Sequence, residues 1–174
     1  MARPTEAQPT APLNRGGVRV ALVKSRFHSD LTEAMAASAR RALEAAGVFG
    51  EDILEAQAPG SFELPLVARR FARRDDIAGV LCFGVVIKGE TTHDHHVATG
   101  ATQGIQQVML ETDKPVLLGV LTTNNLEEAR ERRRFWRQQA LQRRVHTLQR
   151  RKEMRQEQLR VEAAAGCDPP PQLE

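Results

Sequence analysis

The most apolar run in the chain is Ala78-Gly79-Val80-Leu81-Cys82-Phe83-Gly84-Val85-Val86-Ile87, and it ends in the polar turn Lys88-Gly89-Glu90-Thr91-Thr92-His93. An uncharged run of this length is typical of a strand that is covered on both faces. Sheets of such strands are parallel and carry helices on each face. The run therefore predicts the central strand of an α/β domain, with a polar turn at its carboxyl end.

Shorter apolar runs predict two more strands, at Val18–Val23 and Pro115–Leu121, and Asp52–Ala58 predicts a further, weaker one. Strict alternation of strands and helical segments requires right-handed crossovers and predicts a central four-stranded parallel sheet with helices on both faces. Ligands of such sheets bind beyond the carboxyl ends of the strands. We therefore expect the chemistry of this protein at that edge.

Three helices are predicted between these strands. The first is capped by Ser29 or Asp30 and ends at Gly47, the second begins at Ser61, and the third spans His93 to Thr112.

Composition excludes several classes of protein. An apolar fraction of 41% is too high for a disordered chain, and no run approaches the ~18 apolar residues of a membrane-spanning helix. Cys82 and Cys167 are too few for a disulfide framework, and Cys82 is predicted to be a buried thiol. Residues 1–17 are rich in Pro, Thr and Ala and contain no apolar export signal. We expect a flexible leader there and a cytoplasmic protein.

The formal net charge of +3 conceals an asymmetry. Between Arg130 and Arg160 there are twelve lysines and arginines and three glutamates, so this segment carries +9 and the rest of the chain −6. The high pI therefore describes one basic segment and does not by itself indicate a nucleic-acid-binding protein.

The turn Gly89–His93 combines backbone N–H groups at a helix start, two hydroxyls and an imidazole. Such groups can hold a phosphate or another anion while His93 exchanges protons near neutral pH. Alternatively, Thr91 or Thr92 only caps the helix and His93 is an ordinary first-turn residue. A metal site on His93 and His96 is a weaker alternative, because no third ligand with recognisable spacing follows. We therefore predict no metal.

A second polar junction, Pro59–Glu63, separates a predicted strand from a helix. Glu63 can accept hydrogen bonds from a polyhydroxylated ligand, and Phe27 after the first strand can stack on a planar ring. Alternatively, Glu63 is a first-turn glutamate favoured by the helix dipole and Phe62 belongs to the core.

Four motifs stand in one order over about Val18 to Arg132. They are Ser25–Phe27, Pro59–Pro65, Gly84–His93 and Gly119–Thr123. In sequence, order and spacing they resemble the 6,7-dimethyl-8-ribityllumazine synthase family of riboflavin biosynthesis. The resemblance implies a flavodoxin-like α/β/α fold of three layers and a transferase without a cofactor. Its reaction condenses 5-amino-6-(D-ribitylamino)uracil with 3,4-dihydroxy-2-butanone 4-phosphate to give 6,7-dimethyl-8-ribityllumazine, phosphate and water.

The resemblance also implies roles for individual residues. His93 matches the general acid/base, and Arg132 matches an arginine that pairs with the butanone phosphate in a neighbouring subunit's site. A histidine beside a helix start with an arginine opposite suits Schiff-base proton transfer and phosphate elimination. The remaining matched positions are substrate-binding ones: Phe27, Ser61, Phe62, Glu63, Val85, Val86, Ile87, Glu90, Thr91 and Leu118.

Family members form pentamers, some of which assemble into sixty-subunit capsids, so the resemblance implies a pentamer or a larger homo-oligomer. Three places depart from the family pattern. His28 stands where Asn is usual, Leu118 stands where an aromatic residue is common, and residues 92–96 rearrange the surroundings of the histidine.

The resemblance weakens after Arg132, so we predict a domain of residues 18–132 and an atypical tail of residues 133–174. Family chains continue with a Gly- and Lys-containing loop and an amphipathic helix, whereas this chain has Arg133–Gln139 and an Arg/Gln-rich stretch. If the arginines have codons of the CGG type, reading one nucleotide out of frame converts this stretch into a Gly-rich loop, so we hypothesise a frameshift near Arg132. The absence of Pro and Gly predicts a long basic helix from Arg130 to about Ala165.

The tail leaves a second functional class open. A basic helix with Trp136 can bind RNA or another polyanion, and the alternative is an extension without a specific partner. Without the usual terminal helix, the chain is alternatively a catalytically impaired shell subunit or a ligand-binding module. A riboflavin synthase of the same fold is disfavoured by the Gly89–His93 turn.

Overall fold

The computed structural model describes residues 19–135 and 160–161. In this part of the chain the four predicted strands are present, and all of them pair in parallel in the order β2-β1-β3-β4. They are β1 (Arg19–Ser25), β2 (Ile53–Ala58), β3 (Ile77–Ile87) and β4 (Val116–Thr123). The apolar run that predicted a central strand forms β3, which lies in the interior of the sheet beside β1.

The helices cover both faces of the sheet, as predicted. They are α1 (Ser29–Ala45), α2 (Leu64–Ala72), α3 (His93–Thr112) and α4 (Leu126–Phe135), and a short 3-10 turn at Gly50–Asp52 precedes β2. Helices α1 and α4 pack together on one face, while α2 and α3 pack together on the other. The three-layer α/β/α fold with a four-stranded parallel sheet is therefore confirmed.

Two apolar clusters hold these layers together, because successive side chains of a strand point to opposite faces. Toward α1 and α4, Leu22 and Phe83 pack with Met35 and Leu43. Toward α2 and α3, the opposite cluster includes Cys82 of β3, which is fully buried. Burial raises the pKa of the Cys82 thiol to about 12, so this group is an inert part of the core, as predicted.

Two predicted helix starts are wrong. Neither Ser29 nor Asp30 caps α1, because the cap position is His28, whose left-handed backbone (φ 52°) makes the turn without a side-chain hydrogen bond. Helix α2 begins at Leu64 rather than Ser61, because Ser61–Glu63 form a turn and Pro65 lies at the helix start. Proline suits the first helical turn, where its missing N–H is not needed.

Several predictions fall outside the described residues. These are the flexible leader 1–17, the frameshift hypothesis for the tail, Cys167, and the long basic helix apart from α4 and the helical residues 160–161. Among the helices that are described, none combines the length and the apolar character needed to cross a bilayer.

Candidate active site

Four loops meet at the carboxyl edge of the sheet. They follow β1 at residues 26–28, β2 at residues 59–63, β3 at residues 88–92 and β4 at residues 124–125. Because all four strands are parallel, their carboxyl ends lie along one edge. The predicted motifs therefore come together in space although they are far apart in the chain.

The first loop presents an aromatic ring on a fixed backbone. The side chain of Phe27 is 70% exposed. Its carbonyl accepts a 3.3 Å hydrogen bond from Ser25 Oγ, and the carbonyl of Ser25 accepts a 2.9 Å bond from Thr32 Oγ1. The backbone N–H of Arg26 donates to the carbonyl of Ala58, at 2.9 Å. The backbone of this loop is held by hydrogen bonds, while its ring is open to a ligand.

Glu63 and Phe27 flank the same glycine. A Cβ added to Gly60 would lie 2.9 Å from Glu63 Oε2 and 3.7 Å from Phe27 Cδ2. The carboxylate from the second loop and the ring from the first loop therefore stand side by side, with room between them only because residue 60 has no side chain. A carboxylate beside an exposed ring can accept hydrogen bonds from a ligand that stacks on that ring.

Ser61, in the same loop as Glu63, lies against the central strand. Its side chain is 5% exposed, and a Cβ on Gly84 would lie 2.5 Å from Ser61 Oγ. Within the described residues, Ser61 Oγ is one of two buried side-chain atoms that lack a hydrogen-bond partner. A buried hydroxyl left unpaired has a free-energy cost that a ligand hydrogen bond can remove.

Phe62 lies against helix α3, whereas Ser61 lies against β3 and Glu63 lies beside Gly60. A Cβ on Gly100 of α3 would lie 2.5 Å from Phe62 Cε2, so the ring packs on that helix. The ring is 57% exposed, so the alternative interpretation of Phe62 as a core residue is wrong. The structure therefore places Phe62 on the α3 side of its loop and Phe27 beside Gly60.

The central strand β3 extends beyond its neighbour β1. The β1–β3 ladder ends at the pair Lys24–Phe83, whereas the β3–β4 ladder continues to Ile87–Thr123. Val85 and Val86 have buried side chains, so this overhang offers a ligand its backbone. Because successive N–H and C=O groups of a strand point to both sides, the overhang has polar groups that face away from β4 and toward the end of β1.

His93 is the first residue of α3 and lies over the turn that precedes it. A Cβ on Gly89 would lie 2.5 Å from His93 Cε1. The Nδ1 atom of His93 lies 2.8 Å from Thr91 Oγ1, and Thr92 at the cap position makes no side-chain capping bond. The hydroxyl of Thr91 therefore contacts the imidazole instead of capping the helix. Glu90 is exposed in the same turn.

Two predicted residues do not reach this edge in their own chain. Arg132 is exposed on α4, about 9 Å along the helix from its first residue. Leu118 pairs with Cys82 in the middle of β4 and packs, half-buried, against the α2–α3 cluster. The structure brings Phe27, Ser61, Glu63 and His93 to one edge and leaves Arg132 and Leu118 elsewhere.

The start of helix α4 at Leu126 was missed, because the predicted basic helix begins only at Arg130, although the sequence contains a signal for the earlier start. Asn125 Oδ1 accepts a 2.9 Å hydrogen bond from the N–H of Glu128, whose carboxylate accepts one from the N–H of Asn124 at 3.0 Å. Asn followed three residues later by Glu is a helix-start signature. Hydrogen bonds from Asn124 hold the pKa of Glu128 below its ordinary value. The start of α4 is therefore well defined.

The burial of Lys24 was also missed, because this residue directly follows the predicted strand Val18–Val23. Its side chain is buried beside Glu33 and Glu55. In contrast, no three His, Cys, Asp or Glu side chains between residues 19 and 135 are grouped closely enough to hold a metal ion.

Comparison with known proteins gives one consistent family. Residues 17–156 match the model of the 6,7-dimethyl-8-ribityllumazine synthase family, which extends beyond the domain end predicted at residue 132. A 6,7-dimethyl-8-ribityllumazine synthase of Thermus thermophilus is 47% identical over 120 residues, which cover 69% of this chain and 76% of that protein. Those of Kineococcus radiotolerans and Salinibacter ruber are 43% and 41% identical, covering 71% and 65% of this chain and 75% and 72% of theirs.

Proposed function

Since the chain belongs to the 6,7-dimethyl-8-ribityllumazine synthase family, we propose that the carboxyl edge of its sheet is the active site of that reaction. The substrates are 5-amino-6-(D-ribitylamino)uracil and 3,4-dihydroxy-2-butanone 4-phosphate, and the product is formed with release of phosphate and water. In this proposal the reaction uses only side-chain and backbone groups of the protein, with no cofactor or metal.

The overhang of β3 is the observation that carries this proposal. A pyrimidine ring presents alternating N–H and C=O groups at its edge, and a strand presents the same alternation. Val85–Ile87 extend past the last β1 pair, so their backbone groups can bond a pyrimidine edge. Phe27, exposed at the end of β1, supplies a face on which the ring stacks.

The polyhydroxylated chain of the pyrimidine substrate then extends over the second loop. Glu63 lies beside Phe27 across Gly60, so its carboxylate accepts hydrogen bonds from ribityl hydroxyls. Ser61 Oγ has no partner in the described structure and gains one if the loop adjusts to the substrate. Phe62 bounds this region on the α3 side.

His93 is the general acid/base of the proposed mechanism. The contact between Thr91 Oγ1 and Nδ1 orients the imidazole and leaves Nε2 for the reacting groups. Condensation of an amine with a ketone needs a proton delivered to the departing water and another removed from the carbon skeleton. An imidazole can accept a proton at a ring nitrogen and donate it again, so one side chain can serve both transfers.

The phosphate group is proposed to lie at the turn before α3. Backbone N–H groups at the start of that 20-residue helix favour an anion, and Glu90 and Thr91 border them. Arg132 lies away from this edge in its own chain, so we propose that a neighbouring subunit supplies it. A homo-oligomer then becomes a requirement of the site, and we propose a pentamer, with a sixty-subunit capsid as its larger form.

Location and the tail are further predictions. We propose that the enzyme is cytoplasmic. Leu118, on a half-buried stretch of β4, is proposed to contact substrate only within the assembled oligomer. Binding of RNA or another polyanion by the basic tail stays a prediction, to be tested by truncation after Arg132 and by the salt dependence of affinity.

The test is an absorbance assay of lumazine formation by the purified protein, with His93→Ala as the control. We expect the variant to be slower by about 10²–10⁴-fold, the usual contribution of a general acid/base. Wild-type activity no higher than that of His93→Ala refutes the catalytic proposal. That result supports the alternative of an impaired shell subunit or ligand-binding module.

A further inference from the structure

A partly buried ion pair lies at the base of the loop that carries Phe27. Lys24 is the residue before the end of β1, and its side chain is directed toward α1 with only 8% of the residue exposed. Its Nζ donates hydrogen bonds to Glu33 Oε2 of α1 and, at 2.9 Å, to Glu55 Oε2 of β2. One ammonium group therefore joins three elements of the fold.

The hydrogen bonds of this cluster favour the charged forms of Lys24 and Glu55. Burial acts to lower the pKa of Lys24, but its hydrogen bonds to Glu33 and Glu55 outweigh that effect and the pKa lies above its ordinary value. Hydrogen bonds from Lys24 and Arg40 hold the pKa of Glu55 below its ordinary value. Arg40 and Glu44 of α1, which pair at 3.7 Å, complete the charged groups that surround the pair.

The Lys24–Glu33 contact spans the whole loop. The chain leaves the sheet after Ser25, turns through the left-handed residue His28, and enters α1 at Ser29. Lys24 precedes this turn and Glu33 follows it, so their ion pair connects the two ends of the loop. We call the Lys24–Glu33 ion pair the clasp. Since the Phe27 ring is mostly exposed, its position depends on the backbone of the loop and not on packing of the side chain.

We propose that Lys24 and Glu33 are positioning residues of the active site, whose ion pair holds residues 26–28 so that Phe27 presents its ring to the pyrimidine substrate. This inference rests on the proposed function for the identity of the substrate. The position of the loop itself does not depend on that function. Neither residue touches substrate, because Lys24 is buried below the loop and Glu33 lies on α1 behind it.

The opposite end of β1 offers a matched control. Arg19, the first residue of the strand, pairs with Asp52 at 3.3 Å and with Asp76 at 3.0 Å. It is also one cation between two carboxylates, but it lies at the amino edge, far from Phe27. Arg19→Met removes a comparable network without touching the loop.

Within the cluster itself, Glu55→Gln is the second control. It removes the ion pairs of residue 55 with Lys24 and with Arg40, and it leaves the Lys24–Glu33 contact across the loop. Glu33→Gln does the reverse, and Lys24→Met removes both. Glu33 and Glu55 have partly exposed side chains, so their amides are tolerated without an unpaired buried charge.

The steady-state test measures KM for ribitylaminouracil. Glu33→Gln and Lys24→Met are expected to raise it about three- to fivefold, the effect of losing one partly buried ion pair, with kcat changed less than about twofold. The double variant is expected to match Lys24→Met, because the two residues act through one contact. Glu55→Gln and Arg19→Met are expected to leave this KM unchanged. An equal rise of KM in either control overturns the proposal.

Hydrogen exchange of the amides of residues 26–32 tests the clasp without reference to activity. Glu33→Gln and Lys24→Met are expected to speed exchange there, whereas Glu55→Gln and Arg19→Met are not. An inactive wild type with this exchange pattern contradicts the proposed function and leaves the clasp standing. Unchanged exchange in Glu33→Gln, confirmed as folded by circular dichroism, overturns the clasp even if the wild type is active.

Discussion

The two edges of the sheet have opposite characters although the same four strands supply both. At the amino edge, Arg19, Asp52, Asp76 and Arg74 pair with one another, and Lys114 donates to the carbonyl of Arg74. At the carboxyl edge, Phe27 and His93 extend from backbone turns toward solvent. The amino edge satisfies its own polar groups, and the carboxyl edge leaves groups for a ligand. The contacts at the amino edge therefore stabilise the fold, whereas the groups at the carboxyl edge are proposed to bind substrate.

The largest expected change in KM concerns Arg132. This residue lies on α4, outside the loops of both sheet edges. Arg132→Gln is expected to raise KM for the butanone phosphate about 10- to 100-fold, since a charged hydrogen bond to phosphate is lost. The measurement is steady-state kinetics with the phosphate substrate varied. Arg130→Gln is the control, because Arg130 is an exposed arginine on the same helix that pairs with Glu127 at 3.7 Å. Equal kinetics of the two variants would place the phosphate site elsewhere.

Glycines at the two edges differ in what a methyl group would meet. Gly89→Ala adds a Cβ 2.5 Å from the His93 ring and is expected to lower kcat about tenfold, because the displaced imidazole is a poorer general acid/base. Gly50→Ala at the amino edge adds a Cβ whose nearest neighbour is 3.5 Å away, an ordinary contact. It is expected to keep full activity. Comparable rates for both variants would mean that His93 has no fixed role.

Exposed phenylalanines give a third comparison. Phe27→Ala is expected to raise KM for the pyrimidine substrate about three- to tenfold through lost ring stacking. Phe49→Ala removes a ring that is 50% exposed before β2, at the amino edge, and is expected to leave KM unchanged. Thermal melting should shift little in Phe27→Ala, because that ring buries little surface. A large loss of stability there would assign Phe27 to the fold.

The smallest effect is a pH dependence at the amino edge. Arg74 and Arg19 hold the pKa of Asp76 well below its ordinary value, so this carboxylate stabilises the fold above about pH 4, and the contribution is lost as pH falls through the lower folded-state pKa. Asp76→Asn is expected to lower Tm by about 1–3 °C at pH 7, with the difference vanishing in acid. Asp75→Asn, next to it in sequence, is the control. A difference independent of pH contradicts this electrostatic origin.

Much of the fold could be predicted because β1, β3 and β4 are mostly apolar in sequence. Val20 to Val23 and Val80 to Val86 are buried on both faces, so composition alone identified them. The ends of helices were harder to predict, because they depend on the conformation of single residues. Ser29 has the chemistry of a cap, yet the left-handed backbone of His28 makes the turn, and such a conformation is not visible in a sequence.

Only the parts of the site that lie within a local sequence motif could be predicted. The turn Gly89–His93 follows a strand directly, so its place at the carboxyl edge follows from strand order. Phe62 packs on Gly100, which is distant in sequence, and nothing near residue 62 indicates that contact. The carboxylates that pair with Lys24 belong to Glu33 and Glu55, which are nine and thirty-one residues away in sequence. This cluster could therefore be found only in the three-dimensional structure.

The left-handed backbone of His28 restricts how the protein can evolve. Few residues other than glycine adopt a positive φ readily, and asparagine, aspartate and histidine are the common exceptions. Position 28 can therefore drift among only a few amino acids, and a β-branched substitution would distort the turn that leads to Phe27. A saturation library at residue 28 is expected to return a short list of active sequences, although this side chain itself does no chemistry.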